Sequence, residues 1–176
     1  RASTGVFCSS PWIMRQKRLG QVKATDLDRT DRRILAVLQE DGRISAVDLA
    51  ERIGLSPTAT GERLRRLQKE GVIEGFSARL NPAAVGLGLL VFVEVSLDKT
   101  TPDVFERFAE AVRRAPEVLE CHMVAGGFDY LVKTRVSDMA AYRRFLGEGL
   151  LALPGVRETR TYAVMEEVKT DGALPV

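Results

Sequence analysis

Residues 44–73 read ISAVDLAERIGLSPTATGERLRRLQKEGVI, and their punctuation leaves room for one local fold. Val47, Leu49, Ala50 and Ile53 recur at helical spacing, and Ser45 with Asp48 resembles a capping box in which Asp replaces the usual Glu. Gly54 supplies the positive φ that ends such a helix. Ser56 is a good N-cap, and Pro57 suits the first helical position, where a missing N–H costs nothing. The segment therefore reads helix, tight turn, helix.

The second helix divides into faces. At about 100° per residue, Thr60, Leu64 and Leu67 share one side, and Thr58, Glu62, Arg65, Arg66 and Lys69 lie opposite. Upstream, Ile34, Leu35 and Leu38 form the stripe of a further helix able to cover the pair. Three short helices around one small core, the last polar and basic, make a helix-turn-helix. Charge alone does not decide for nucleic acid, because residues 28–75 hold nine Lys/Arg against nine Asp/Glu. The residues at the helix start decide more. Small Thr58, Ala59, Thr60 and Gly61 let its N-terminus approach base edges, with backbone N–H groups free for phosphate. The candidate DNA-contacting set is Ser56, Pro57, Thr58, Thr60, Glu62, Arg63, Arg65, Arg66 and Lys69.

The chain has 176 residues, 45% of them hydrophobic, enough for two modest cores. A net charge of +2 neither demands nor excludes a nucleic-acid partner. No apolar run reaches the ~18 residues of a membrane span. Two cysteines, Cys8 in a tail and Cys121 in a strand, imply no disulfide framework, so a cytoplasmic protein is expected. Residues 1–26 lack periodicity and carry five basic residues against one acid. They read as a flexible leader or a DNA-contacting arm, with Met14 an alternative start.

After the helices the period changes. GVIEGFSARLNP alternates and closes at Asn-Pro, predicting a strand that leads into a linker. In LGLLVFVEVSL, Leu89, Val91, Val93, Val95 and Leu97 form one apolar face, while the other opens with Leu90 and Phe92. A strand apolar on both faces at one end needs cover on both sides: its own helices, and a second subunit. TPDVFERFAEAVRRAP predicts a helix with a Thr cap that buries Val104, Phe105, Phe108 and Val112. EVLECHMVAGGFDYLVKTRV predicts a hairpin around Gly126-Gly127, with Leu119, Cys121 and Met123 on one face and Tyr130, Val132 and Val136 on one face of its partner. A capped helix follows, with Met139, Tyr142, Leu146 and Leu150 on one stripe, and VRETRTYAVMEEV closes as a strand. The order βαββαβ predicts an α+β ferredoxin-like domain. The expected boundaries are a tail at 1–26, helix-turn-helix at 27–75, linker strand at 76–86, sandwich domain at 87–170 and tail at 171–176.

No catalytic constellation emerges. His122 adjoins Cys121, but neighbours in a strand point to opposite faces, so they do not ligate one metal together. No paired carboxylates, Cys-x-x-Cys or phosphate-binding glycine loop is present, and neither enzyme activity nor a cofactor nor a metal is expected.

Taken together, DGRIS, GLSPT, RLRRLQKEGVI and FDYLVKTRVSDMAAYRRFLGEGLLALPGVRETRTYAVMEEVK resemble the Lrp/AsnC family over about Leu27–Lys169. The resemblance implies a winged helix-turn-helix joined to a ferredoxin-like ligand-binding (RAM) domain, and dimers that pair through their sheets and assemble into octamers or similar rings. It also implies a transcriptional regulator of amino-acid metabolism, bound to double-stranded DNA at the nucleoid and modulated by leucine or a related amino acid. Its effector pocket, at the contact between dimers, corresponds to Val124, Ala125, Gly126, Gly127, Phe128, Asp129 and Tyr130, with Thr159 and Thr161. In that pocket backbone N–H groups suit an α-carboxylate, Asp129 an α-ammonium, and Val124 or Met139 an aliphatic side chain. Gly127 departs from the pattern, since members that respond to leucine place an acid there. Two alternatives stay open: a proline-responsive activator of proline catabolism, and an amino-acid-binding regulatory subunit of an enzyme.

Overall fold

The computed structural model describes residues 26–170 and 172–176. The expectations for the leader and for Cys8 lie outside this range. The described chain forms two compact units, divided between Arg79 and Leu80, with residues 169–176 belonging to the first.

The first unit holds α1 (Arg29–Glu40), α2 (Ala46–Ile53) and α3 (Pro57–Lys69). Ser45 caps α2 by accepting from Asp48 N–H, Gly54 ends it at φ 74°, and Ser56 caps α3 with Pro57 at its first turn. The capping box of α2 is only half formed, because the Asp48 carboxylate takes the Ser45 hydroxyl (2.7 Å) instead of a backbone N–H. A complete box sits at α1, where Asp28 and Asp31 cap each other's backbone. Ile34, Leu35, Leu49, Ile53 and Leu67 form the core, with Leu38 and Leu64 packed against it. Val47 does not join them and is 62% exposed.

The strand expected after α3 does not form. Its alternating pattern has no ladder partner here, since all four strands of the described residues pair with one another in the second unit. Asn81 instead accepts from Ala83 N–H (3.0 Å) and sets a 3₁₀ turn at Ala83–Val85.

The second unit has β1 (Leu89–Leu97), α4 (Pro102–Arg114), β2 (Val118–Met123), β3 (Tyr130–Val136), α5 (Met139–Arg144) and β4 (Val156–Ala163). The antiparallel sheet has the order β2-β3-β1-β4, the ferredoxin-like arrangement. Val91, Val93, Val95 and Leu97 line one face with Val132 and Val136, and Phe108, Val112, Tyr142 and Leu150 cover it. Tyr130 packs its ring 4.5 Å from Phe108.

Three expectations need correction. A bulge between Val118 and Glu120 shifts β2, so Val118 rather than Leu119 joins the core, while Leu119 is exposed. Thr101 occupies the N-cap position of α4 without accepting a helix N–H. The third concerns the last helix, which widens after α5 into a π-helical turn at Phe145–Leu150, with Leu151 N–H bonding to Leu146 C=O. The wider turn brings Phe145 into the core beside Leu150, while Met139, at the first position of α5 and ahead of that turn, is 54% exposed.

Candidate functional site

Two surfaces carry the residues singled out from the sequence, one in each unit. In the first, α3 presents Thr58, Glu62, Arg65 and Lys69 on one exposed stripe, with Ser56 and Pro57 exposed at its start. The spacing of four, three and four residues keeps them on one side of the helix. Thr60 is placed elsewhere. It is fully buried, and its hydroxyl donates to Ser56 C=O at 3.0 Å, so it supports the helix and does not face outward.

Arg63, half-buried, and Arg66, whose side chain stays 43% exposed, are both tied to acids at the start of α1. Arg63 Nη1 donates to Asp28 Oδ2 at 2.6 Å and to Asp31 Oδ1 at 2.8 Å, and Arg66 Nη2 donates to the other oxygen of Asp31. Asp28, held by the Asp31 backbone N–H and then by Arg63, titrates below the usual carboxylate range. The two carboxylates in turn hold Arg63 above its ordinary value. Periodicity placed Arg66 on the exposed side, where it lies, but could not register its pairing with a buried acid on another helix.

The second surface follows from topology. Tyr130 opens β3 opposite Val95, and Val156 opens β4 opposite Leu97, so both strands begin where β1 ends. The β2–β3 turn lies at the same edge. A cleft of about 450 Å³ opens there between Ser96–Thr100, Gly126–Asp129 and Arg157. A smaller neighbour of about 310 Å³ adds Glu94, Glu158, Thr159 and Arg160. The cleft thus gathers the expected Gly126, Gly127, Phe128 and Asp129, and its neighbour holds Thr159. It also gathers Asp98, Lys99 and Arg157, which sequence reading missed; the signal was a charged pair directly after β1 and a charged residue at the start of β4.

The remaining expected residues do not line it. Val124 donates its N–H to Asp129 C=O (3.0 Å) inside the turn, and Tyr130 is committed to the core. The Thr161 hydroxyl meets Tyr142 at 2.5 Å, while Ala125 and Met139 are exposed outside the cleft. Asp129 has a structural duty as well. Its Oδ2 accepts Leu97 N–H at 2.7 Å, and its own N–H donates to Val95 C=O, stitching the turn to the end of β1. Chemically, the cleft offers two cations, a second carboxylate at Asp98 and a glycine backbone without side-chain cover, a set that suits a small zwitterion.

Residues 27–74 match the winged helix-turn-helix DNA-binding model, and residues 90–174 match the Lrp/AsnC ligand-binding domain. The chain is 59% identical over 151 residues to the leucine-responsive regulatory proteins of Escherichia coli and Klebsiella pneumoniae, covering 86% of this chain and 92% of each relative. Among solved structures it is similar to a transcriptional regulator from Neisseria meningitidis in complex with L-methionine. That likeness has a TM-score of 0.81 and 41% identity, over 85% of this chain and 96% of the other. An AsnC family regulator from Agrobacterium tumefaciens matches with a TM-score of 0.81 and 36% identity, over 85% and 97% of the two chains.

Proposed function

The chain belongs to the Lrp/AsnC family of transcriptional regulators, and we propose that the exposed stripe of α3 reads its operator while an aliphatic α-amino acid of the leucine class occupies the cleft at the end of β1. The protein is a DNA-binding regulator with an amino-acid-responsive domain, and it is not an enzyme. The alternative of an enzyme's regulatory subunit falls with the family.

In this reading Thr58 and Glu62 face base edges, and Arg65 and Lys69 meet phosphate or guanine. Arg157 and Lys99 receive the effector's α-carboxylate together with the amides of Gly126 and Gly127. Asp98 takes the α-ammonium, and Asp129 holds the turn in place. The subunits pair through their sheets and assemble further into octamers or similar rings, working in the cytoplasm at the nucleoid. The observation that carries the effector reading is the cleft's pairing of opposite charges across an uncovered glycine turn.

Isothermal titration of wild type and Arg157→Ala against leucine, methionine, proline and lysine tests it. Leucine or methionine binds wild type, and the variant loses about 1.5–3 kcal/mol, the worth of a hydrogen bond to a charged group. Equal affinity in both proteins removes Arg157 from the site. A clear preference for proline would replace the effector class.

A further inference from the structure

We infer that Asp31 divides the four cations of α3 into two that hold the helix and two that meet DNA. The inference rests on the reading that α3 lies against the duplex. Arg63, Arg65, Arg66 and Lys69 all belong to this one helix, and charge counting treats them alike. Their surroundings do not.

Asp31 sits in the first turn of α1 with its side chain fully buried. Its oxygens accept from Arg63 (2.8 Å), from Arg66 and from the Asp28 backbone N–H (3.3 Å). A buried carboxylate is tolerated only while it is paired, and removing one partner leaves an uncompensated charge. Arg66 cannot swing out to a phosphate without stripping Asp31 of one of its two guanidinium partners. Arg63 is held more firmly still, since Asp28 grips the same Nη1 at 2.6 Å. Arg65 and Lys69, exposed as Arg66 is, are under no such constraint, so pairing and not burial separates them. Asp31 is therefore a positioning residue: it fixes the approach of α3 to α1 and removes two positive charges from the face offered to DNA.

Salt dependence separates the two kinds of cation, because each phosphate neutralised adds about 0.9 to the slope of log K against log salt. Binding of the full-length protein to a non-specific duplex is followed by fluorescence anisotropy between about 50 and 200 mM salt. Per helix-turn-helix bound, Arg65→Ala and Lys69→Ala each lower the slope by about one unit. Arg66→Ala lowers the melting temperature and leaves the slope unchanged. Asp31→Asn also lowers the melting temperature, but it raises the slope and tightens non-specific binding, a gain that lost stability alone does not produce. Should Asp31→Asn fail to fold, Asp28→Asn, at an exposed partner, releases one grip on Arg63 and raises the slope to a smaller degree. Equal loss of slope in Arg65→Ala and Arg66→Ala overturns the division while leaving α3 on the DNA. An unchanged slope for all three cation variants overturns both the division and the placement of α3.

Discussion

Gly155 shows how much a single position can hold. Its φ of 78° is one that residues with a side chain rarely adopt, and a Cβ built there would stand 2.7 Å from Val104 Cγ1 and 3.3 Å from Asp98 Oδ1. Its carbonyl also receives Asp98 N–H at 2.8 Å, tying the start of β4 to the end of β1 beside the cleft. Gly155→Ala should therefore cost about 2–4 kcal/mol from backbone strain and overpacking, measured by urea unfolding. Cys121 illustrates burial acting on chemistry. Desolvation pushes its thiol from 9.0 up to about 11. In a Cys8→Ser background, its thiolate-dependent reaction with a disulfide reagent at pH 8 should run about 100-fold slower in the folded protein than in urea. The linked stability follows the same sign. An acid whose pKa is raised by folding favours the native state fully below its unfolded pKa, and that contribution is lost as pH climbs from 9.0 to about 11.

At the scale of elements, the π-helical turn after α5 has the clearest cause. Gly147 and Gly149 are weak helix formers, and the widened turn lets Phe145 and Leu150 both reach the core. The two glycines should answer differently to alanine. At Gly147 nothing lies within 4 Å of the added Cβ, so Gly147→Ala should be neutral or stabilise by up to about 1 kcal/mol. At Gly149 the Cβ would meet the Phe145 ring at 3.0 Å, so Gly149→Ala should destabilise by about 1–3 kcal/mol. Thermal melts of the pair decide it, and matching shifts would deny the contact. The bulge in β2 is the strand counterpart. One extra residue displaces Leu119 from the core face, an event that alternation alone cannot register.

For the whole molecule, the proposed assembly turns on the second sheet face. Leu90 is 6% exposed and Phe92 is half-buried within the single chain, so the doubly apolar start of β1 is less bare than its sequence implies. The face also carries Glu94 with Tyr162 (2.9 Å) and Lys133 with Glu120 (2.7 Å). Beyond it, Met165 and Val168 stand in full contact with solvent. Apolar residues interleaved with satisfied polar pairs form a surface suited to a specific second copy. On the proposed assembly, light scattering at micromolar concentration should find dimers or larger species, and footprinting should find two half-sites about one helical turn apart. A folded monomer under those conditions would discard the assembly.

The punctuation of residues 45–57 and the alternation of β1 were legible in the chain because caps, a positive-φ glycine and strand periodicity act between near neighbours. The order of elements was enough for the ferredoxin-like topology, and that topology already carried the turn, the end of β1 and the start of β4 to one edge. What the sequence could not state was partnership across distance. Asp31 pairs with Arg63 and Arg66 over a separation of more than 30 residues, and Asp129 gives one oxygen to Leu97 N–H. The strand pattern after α3 found no neighbour to pair with, and so stayed irregular. Ion pairs and ladders need two segments to meet, and only packing decides which segments do.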